Sequence, residues 1–455
     1  MKKITASLGV AVLATAVAAC GSSSGAGQES GTITLRVQGM PPATDKPSLA
    51  AFEKMVADFE KQNPGIAVEG SSAAYDPLTF SAKLAGGKVE DVIKVPLTEP
   101  QGLIARKQVK PLAAELAKWP HYKEFNPQVL RPLSDSAGEV YGVPQSPFAM
   151  GLVYNRELFT KAGLDPDKPP TTWDEVRAQA KRIAEKTGKA GFVHESKNNQ
   201  GGWQLTKLTY TFGGEMEKPA GDTWAAAFNA DPTKRALALL KEMRWTDDSM
   251  GANQLNDQND VIKRFAAGEI GMYLGTPGTY RLAKMTYGMP NIDAFGIGPL
   301  PQAGGNATLT GGDVYMVPKS ASAEKTAAAV KWLLFAYAQP QYDTGAAAER
   351  AKALAADPNA AVGVPTLPMF DEAQQAKIDE AVKPYVNVKL EHFRPWIEGT
   401  PKLQLRAEPP VQAQAVYAVL DSVVQAVLTD RDADVDALLT KAETDVNAKL
   451  AASRQ

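Results

Sequence analysis

The segment that most constrains the fold is the stretch from Gly138 to Asp165, GEVYGVPQSPFAMGLVYNRELFTKAGLD. It begins with a turn and a short strand that runs into Pro144, and a proline disfavours helix at the residue before it. Residues 150–154 are an apolar run of β-formers, which is typical of a buried strand. Residues 156–162 then turn helical and end at Gly163. The extended part between the two strands is either a crossing between two domains that passes through a ligand cleft, or an ordinary connection of a βαβ unit.

The beginning of the chain after its first thirty residues predicts an α/β domain. Residues 32–38 and 66–69 have the pattern of strands, and residues 48–63 between them carry apolar side chains at helical spacing. In such domains, ligands meet the loops at the carboxyl ends of strands. Gln38, Tyr75 and, after the next strand, Glu99 lie in such loops. They are candidates for ligand contacts, although the same positions also suit ordinary turn residues.

Length and charge narrow the class of protein. A chain of 455 residues exceeds a single ordinary core and predicts two or three domains. Its 44% hydrophobic and 22% charged residues are typical of a soluble globular protein. The net charge of −2 lacks the basic excess that nucleic-acid binding requires. We therefore expect no nucleic-acid partner.

Four motifs, in this order, resemble those of the bacterial extracellular solute-binding proteins of sugar-importing ABC transporters, the maltose-binding-protein-like class. They span nearly the whole chain after its N-terminal segment, and together they are specific for the family but not for the sugar. The motifs are YGVP, LVYNRELF, AGL and PTTWDE within residues 141–175, FAAGEIGMY at 265–273, FGIGPLP at 295–301, and GGD with the following strand and helix at 311–335.

The resemblance implies a two-lobed α/β fold of the periplasmic-binding-protein type II, with three crossings between the lobes. Lobe 1 would comprise residues 32–143 and 300–364, and lobe 2 residues 144–299 and 365–455. A sugar would bind between the open lobes, which would close about hinges near Val143–Pro144, Gly298–Pro299 and Gly363–Pro365. The closed form would deliver the sugar to an ABC permease in the membrane. The resemblance implies a monomer without enzymatic activity or cofactor.

The ligand site implied by the resemblance lies in the loops between the lobes. Sugar faces stack on flat aromatic rings, and sugar hydroxyls bind a few well-placed polar groups. The family commonly has Gly-x-Trp after the strand that ends at Leu274, whereas here the aromatic residue is displaced to Tyr280. Each aromatic candidate could instead fill a core. The predicted ligand contacts are Gln38, Tyr75, Glu99, Gln145, Ser146, Phe148, Trp203, Thr276, Tyr280, Gly312, Asp313 and Trp396.

The N-terminal segment has the pattern of a secretory signal. Residues 1–19 combine two lysines with an apolar stretch too short to span a bilayer. The sequence VAAC that ends at Cys20 resembles the bacterial lipobox, which implies that Cys20 becomes a lipidated N-terminus on the outer face of the cell membrane. The alternative is a soluble secreted protein with a chance cysteine. Residues 20–31 are rich in Gly and Ser and indicate a flexible tether.

Few features favour an enzyme. The three histidines are far apart in the sequence, and no HExxH, P-loop or GxGxxG motif occurs. The aspartates at 430, 432, 434 and 436 lack the glycine and the final glutamate of a calcium loop, so we expect no metal there; Asp434 is better explained as a helix N-cap. A secreted, lipid-anchored glycoside hydrolase remains the alternative, because it needs only two carboxylates.

Overall fold

The computed structural model describes residues 31–221 and 223–452. The predicted signal peptide, Cys20 and most of the predicted tether lie outside the described residues. Within those two ranges, no helix is long and apolar enough to cross a membrane.

The described residues form a mixed α/β fold, as predicted. The strands are β1 (Ile33–Gln38), β2 (Ile66–Ser71), β3 (Ile93–Pro96), β4 (Gly142–Pro144), β5 (Phe148–Ala149), β6 (Gly151–Asn155), β7 (Ala190–Phe192), β8 (Glu217–Ala220), β9 (Thr223–Ala226), β10 (Ile270–Gly275), β11 (Phe295–Pro299), β12 (Ala307–Gly311), β13 (Asp313–Met316) and β14 (Gln404–Arg406).

The α-helices range from single turns to eighteen residues. They are α1 (Lys46–Gln62), α2 (Pro77–Ala85), α3 (Pro100–Ala105), α4 (Ala113–Leu116), α5 (Pro127–Leu130), α6 (Arg156–Lys161), α7 (Trp173–Thr187), α8 (Gln200–Thr211), α9 (Asp231–Trp245), α10 (Gln258–Ala266), α11 (Thr279–Arg281), α12 (Ala323–Leu333), α13 (Gln339–Tyr342), α14 (Thr344–Ala355), α15 (Glu372–Val382), α16 (Arg394–Gly399), α17 (Ala413–Thr429) and α18 (Val435–Ala452).

Local sequence signals account for many of these elements. β1 and β2 pair in parallel, with Ile33 opposite Ile66, which confirms the predicted βαβ beginning. Thr172 and Glu175 form a capping box at the start of α7, and Gly188 ends that helix in the left-handed conformation (φ 66°). Asp434 accepts a hydrogen bond from the Ala437 amide, as expected of a helix N-cap.

Four of the five sheets in the described residues fall into two groups, and the fifth is the antiparallel pair β8–β9. The first sheet group contains the parallel pair β1–β2 and a three-stranded sheet in the order β3-β13-β4. The second sheet group contains a four-stranded sheet in the order β11-β6-β10-β7 and a three-stranded sheet in the order β14-β12-β5. Each group has its own apolar core: Trp332 and Phe59 pack edge to face in the first (ring centroids 5.2 Å apart), and α7, α8, α17 and α18 cover the second.

Three segments connect the sheet groups, and two of them are neighbours. The first runs from β4, in the first group, to β5, in the second, and it is the extended segment singled out in the sequence. The second runs from β12 to β13 through Gly312. The remaining segment runs from β13 to β14 and contains the expected hinge at Gly363–Pro365, which stays a prediction. The expected hinge at Gly298–Pro299 is not at such a connection, because the whole of β11 pairs with β6 inside the four-stranded sheet. We therefore propose that the second crossing lies at Gly312.

Candidate functional site

A cleft of about 670 Å³ lies beside segments that connect the two sheet groups. This volume is within the usual range for small-molecule sites, about 300–1,000 Å³. The cleft brings together segments that are far apart in the chain. Its walls are formed by residues 145–149, 276–278, 336–337, 340–341 and 365–367, together with Arg281, Arg350 and Trp396.

The two neighbouring connecting segments touch each other at the wall of the cleft, because glycine lets their backbones approach. Gly312 has φ +129°, and a Cβ atom built on it would lie 2.3 Å from the Ser146 carbonyl oxygen. A Cβ atom on Gly311 would lie 2.4 Å from Cζ of Phe148, so the phenyl ring occupies the space over that glycine. Any larger residue at these positions would push the ring or the backbone into a new position.

The cleft combines aromatic surface with unpaired polar atoms. Phe148 is half-buried, and Trp396 is buried with its indole packed against Gly151. In the described part of the chain, neither Nε1 of Trp396 nor Oε1 of Gln145 has a hydrogen-bond partner. Buried polar atoms are normally paired, so these two unpaired atoms beside the cleft are exceptions to that rule.

Five of the predicted contacts line this cleft. They are Gln145, Ser146, Phe148, Thr276 and Trp396. Gly312 lies directly behind Ser146, as described above, and its carbonyl oxygen accepts a hydrogen bond from the Leu97 amide. That any of these residues binds a ligand stays a prediction.

The predicted contacts of the first sheet group are engaged with neighbouring protein atoms. Tyr75 donates a hydrogen bond to Glu99 (2.9 Å), and burial raises the pKa of the Glu99 carboxyl. Asp313 forms an ion pair with Lys94 (Nζ–Oδ2 2.7 Å). Gln38 is buried: its amide nitrogen donates to a glutamate, and its oxygen accepts from the Lys94 amide. None of these four predicted residues lines the cleft.

Trp203 belongs to a buried cluster of charged residues under the second sheet group. Its Nε1 donates to Glu408 (3.2 Å), and Nζ of Lys207 lies 2.9 Å from the centroid of its ring. Burial lowers the pKa of Lys207 to about 7, against the opposing effect of Glu195 and Glu408. Burial also raises the pKa of the Glu195 carboxyl. The cluster contacts the strand that leads to the cleft. Gln204, next to Trp203, donates to the carbonyl of Leu274 at the end of β10, two residues before Thr276 of the cleft wall.

Tyr280 occupies a core position. It is 5% exposed, and its ring packs against Phe295 (centroids 5.2 Å apart) and Phe393. It does not line the cleft, although Thr276 and Arg281 on either side of it do. The displaced aromatic residue of this loop therefore supports the core.

Sequence reasoning missed several residues of the cleft wall. They are Arg281, Tyr337, Gln341 and Arg350. Gln341 is held by its bonds to the carbonyl oxygens of Gln145 and Tyr337 (both 3.0 Å). No motif marks these positions, since arginine and glutamine are common on helix surfaces. Among the described residues, no group of three or more His, Cys, Asp or Glu side chains is arranged to hold a metal ion.

Comparison with known proteins gives concordant matches. Residues 43–342 match the family described as bacterial extracellular solute-binding protein. The chain is 23% identical over 253 residues to the sn-glycerol-3-phosphate-binding periplasmic protein UgpB of Escherichia coli, a match that covers 52% of this chain. The matched part is 59% or less of the length of such curated relatives.

Solved structures match over nearly the whole chain. A solute-binding protein of an ABC transporter from Thermotoga lettingae, bound with α-D-tagatose, has a TM-score of 0.63 at 21% identity and covers 92% of this chain and 100% of its own. The cyclic α-maltosyl-1,6-maltose binding protein of Arthrobacter globiformis has a TM-score of 0.65 at 22% identity and covers 92% of this chain and 99% of its own. These matches confirm the predicted two-lobed α/β fold.

Proposed function

Because the chain belongs to the bacterial extracellular solute-binding proteins, we propose that it captures a mono- or oligosaccharide between its lobes and delivers it to an ABC importer. The observation that carries this proposal is the cleft beside the segments that connect the two sheet groups. Lobes that close about such segments enclose a ligand, and the closed form presents a surface that a permease distinguishes from the open form. The proposed lobes follow the division given above, with the second crossing moved to Gly312.

The composition of the cleft suits a sugar. Phe148 offers a flat apolar face for the C–H surface of a pyranose ring. Gln145, Ser146 and Thr276 offer amide and hydroxyl groups for its hydroxyls. Trp203 and the Tyr75–Glu99 pair, outside the cleft wall, are proposed to reach a longer saccharide.

A saccharide panel tests the proposal. The protein is titrated with mono-, di- and oligosaccharides, and its melting temperature is recorded. A ligand that binds only the folded state stabilises it by RT ln(1 + [L]/Kd), so a specific sugar gives a saturable rise. Released reducing ends measured in the same mixtures would instead favour a glycoside hydrolase. A panel without any saturable rise would contradict saccharide capture.

Replacing Phe148 by alanine should show whether its ring binds the sugar or only fills the core. Since the ring is half-buried and faces the cleft, the melting temperature without ligand should change little, while the ligand-induced rise should shrink. The matched variant is Tyr280→Ala, which removes a core ring and should cost about 3–5 kcal/mol of unfolding free energy. If Phe148→Ala lowers stability as much as Tyr280→Ala and leaves the affinity unchanged, Phe148 is not the platform.

The proposed attachment to the membrane depends on Cys20. Cys20→Ser should release the protein from membranes without changing its affinity for sugar, because none of the residues that line the cleft precedes Gln145. Multiple acylation of one residue anchors firmly, whereas a single chain anchors only marginally. The measurement is the partition of the protein between membrane and soluble fractions in cells that lack the cognate permease. Unchanged membrane partition of the variant would rule out the lipid anchor.

A further inference from the structure

The wall of the cleft carries an unbalanced positive charge. Two of its side chains, Arg281 and Arg350, are cationic, and no aspartate or glutamate is among the residues that line it. Arg281 is at the end of α11, just after the loop that follows β10, and Arg350 lies in α14. Because these elements are distant in sequence, folding alone brings the two guanidinium groups to one cleft.

Neither arginine has an ion-pair partner within residues 31–221 and 223–452. Nε of Arg281 donates only a long bond to the Ala361 carbonyl (3.4 Å). Asp343 is the acid whose charge acts on Arg350, but its carboxylate already accepts a hydrogen bond from the Ala346 amide (2.8 Å) and it does not line the cleft. No acidic residue at the wall of the cleft therefore neutralises either guanidinium group.

The surroundings of the two arginines differ from bulk water. Both side chains are exposed to the cleft, yet the protein around them displaces enough water to lower the pKa of each guanidinium. At Arg281 no charged group opposes this loss of hydration, and at Arg350 Asp343 offsets only part of it. An oxyanion in the cleft would offset the cost at both side chains.

We propose that the ligand of this cleft carries an oxyanion, a phosphate or a carboxylate, and that Arg281 and Arg350 bind it. Arginine suits this role because its planar fork matches the oxygens of either group and its charge is permanent. This inference rests on the proposed function and narrows it from saccharides in general to acidic or phosphorylated saccharides and polyols of similar size.

Matched ligand pairs test the inference on the folded, full-length protein. The pairs are glucose with glucose 6-phosphate, glucose with glucuronate, and glycerol with sn-glycerol 3-phosphate, each measured by calorimetry at fixed ionic strength. We expect the anionic member of at least one pair to bind tenfold more tightly or better. Comparing the two phosphate pairs with the glucuronate pair shows whether the site prefers a phosphate or a carboxylate. If in every pair that binds the neutral member binds as tightly as its anionic partner, the inference is overturned and saccharide capture stands.

Arginine variants test the assignment of residues. Arg281→Gln and Arg350→Gln should each weaken binding of the anionic ligand roughly tenfold to a hundredfold, the range for a hydrogen bond to a charged group. Binding of the neutral member should stay unchanged. The control is Arg431→Gln, an exposed arginine outside the cleft, which should leave both affinities as they are. Wild-type affinity for the anionic ligand in both Arg281→Gln and Arg350→Gln would remove the arginines from the site. The absence of binding in every pair would overturn this inference, whereas saccharide capture is decided by the saccharide panel.

Discussion

Gly312→Ala should lower the free energy of unfolding by about 3 kcal/mol or more and abolish tight ligand binding. Two costs add at this position. Its φ of +129° is strained for any residue with a side chain, and the new methyl group would lie 2.3 Å from the Ser146 carbonyl oxygen and 3.1 Å from Cα of Pro147. Overpacking of this kind alone typically costs 1–3 kcal/mol. Denaturant unfolding and calorimetric titration measure the two effects.

Gly304 provides the matched control. Its φ is also positive (+100°), but a Cβ atom there would meet nothing within 4 Å. Gly304→Ala therefore carries the backbone cost alone, about 1 kcal/mol, and should leave ligand binding intact. If the two variants lose equal stability and both still bind, the close approach of the connecting segments is not what holds the cleft wall.

Glu217→Gln should make the protein more stable at pH 8 while changing little at pH 4. Glu217 is 6% exposed, and Oε2 accepts from the Val411 amide (3.1 Å), whereas Oε1 has no partner in the described part of the chain. Burial raises the pKa of this carboxyl to about 8, from 4.5. Between these values the folded state holds a proton that the unfolded state releases, so stability decreases as pH rises through the window.

The size of the effect follows from the slope of 1.36 kcal/mol per unit of pH for one proton. Glutamine cannot ionise, so the variant should escape a loss of about 4 kcal/mol between pH 4 and pH 8. Comparing each variant with the wild type at both pH values cancels other titrating groups, including Lys207. The control is Glu215→Gln, an exposed acid near Arg406, whose effect should stay within about 1 kcal/mol at either pH. Parallel pH profiles for Glu217→Gln and wild type would show that Glu217 is ionised at neutral pH.

Signals contained within a few residues made the local elements predictable. Asp257 caps α10, the capping box at Thr172 sets the start of α7, and Gly188 sets the end of α7. In each case the residues that decide the structure are one turn apart, so the sequence contains the whole argument. The extended segment before β5 was predictable for the same reason, because Pro144 excludes helix immediately before it.

Features that depend on distant residues were not predictable in the same way. Whether Phe295–Pro299 crosses between lobes or joins a sheet depends on pairing with β6, about 150 residues earlier in the chain. The position of Tyr280 in the sequence predicts a platform for a sugar ring, whereas in the structure its ring packs against Phe295 and Phe393. The sequence does not show that Arg281 and Arg350 line the same cleft. Only the fold places them together, in a wall that has no acidic side chain.

The order in which the sheets can be completed has a consequence for biogenesis. The sheet in the order β14-β12-β5 joins residues 148–149, 307–311 and 404–406, and the core beside it needs α17 and α18 at the end of the chain. A ribosome adds about 5–20 residues per second, so roughly 10–50 s separate the emergence of β5 from that of β14. The nascent chain therefore cannot complete this half of the molecule before synthesis is nearly finished. If the N-terminal segment acts as a signal peptide, that delay leaves time for the export machinery to engage the chain while it can still be threaded through a narrow channel.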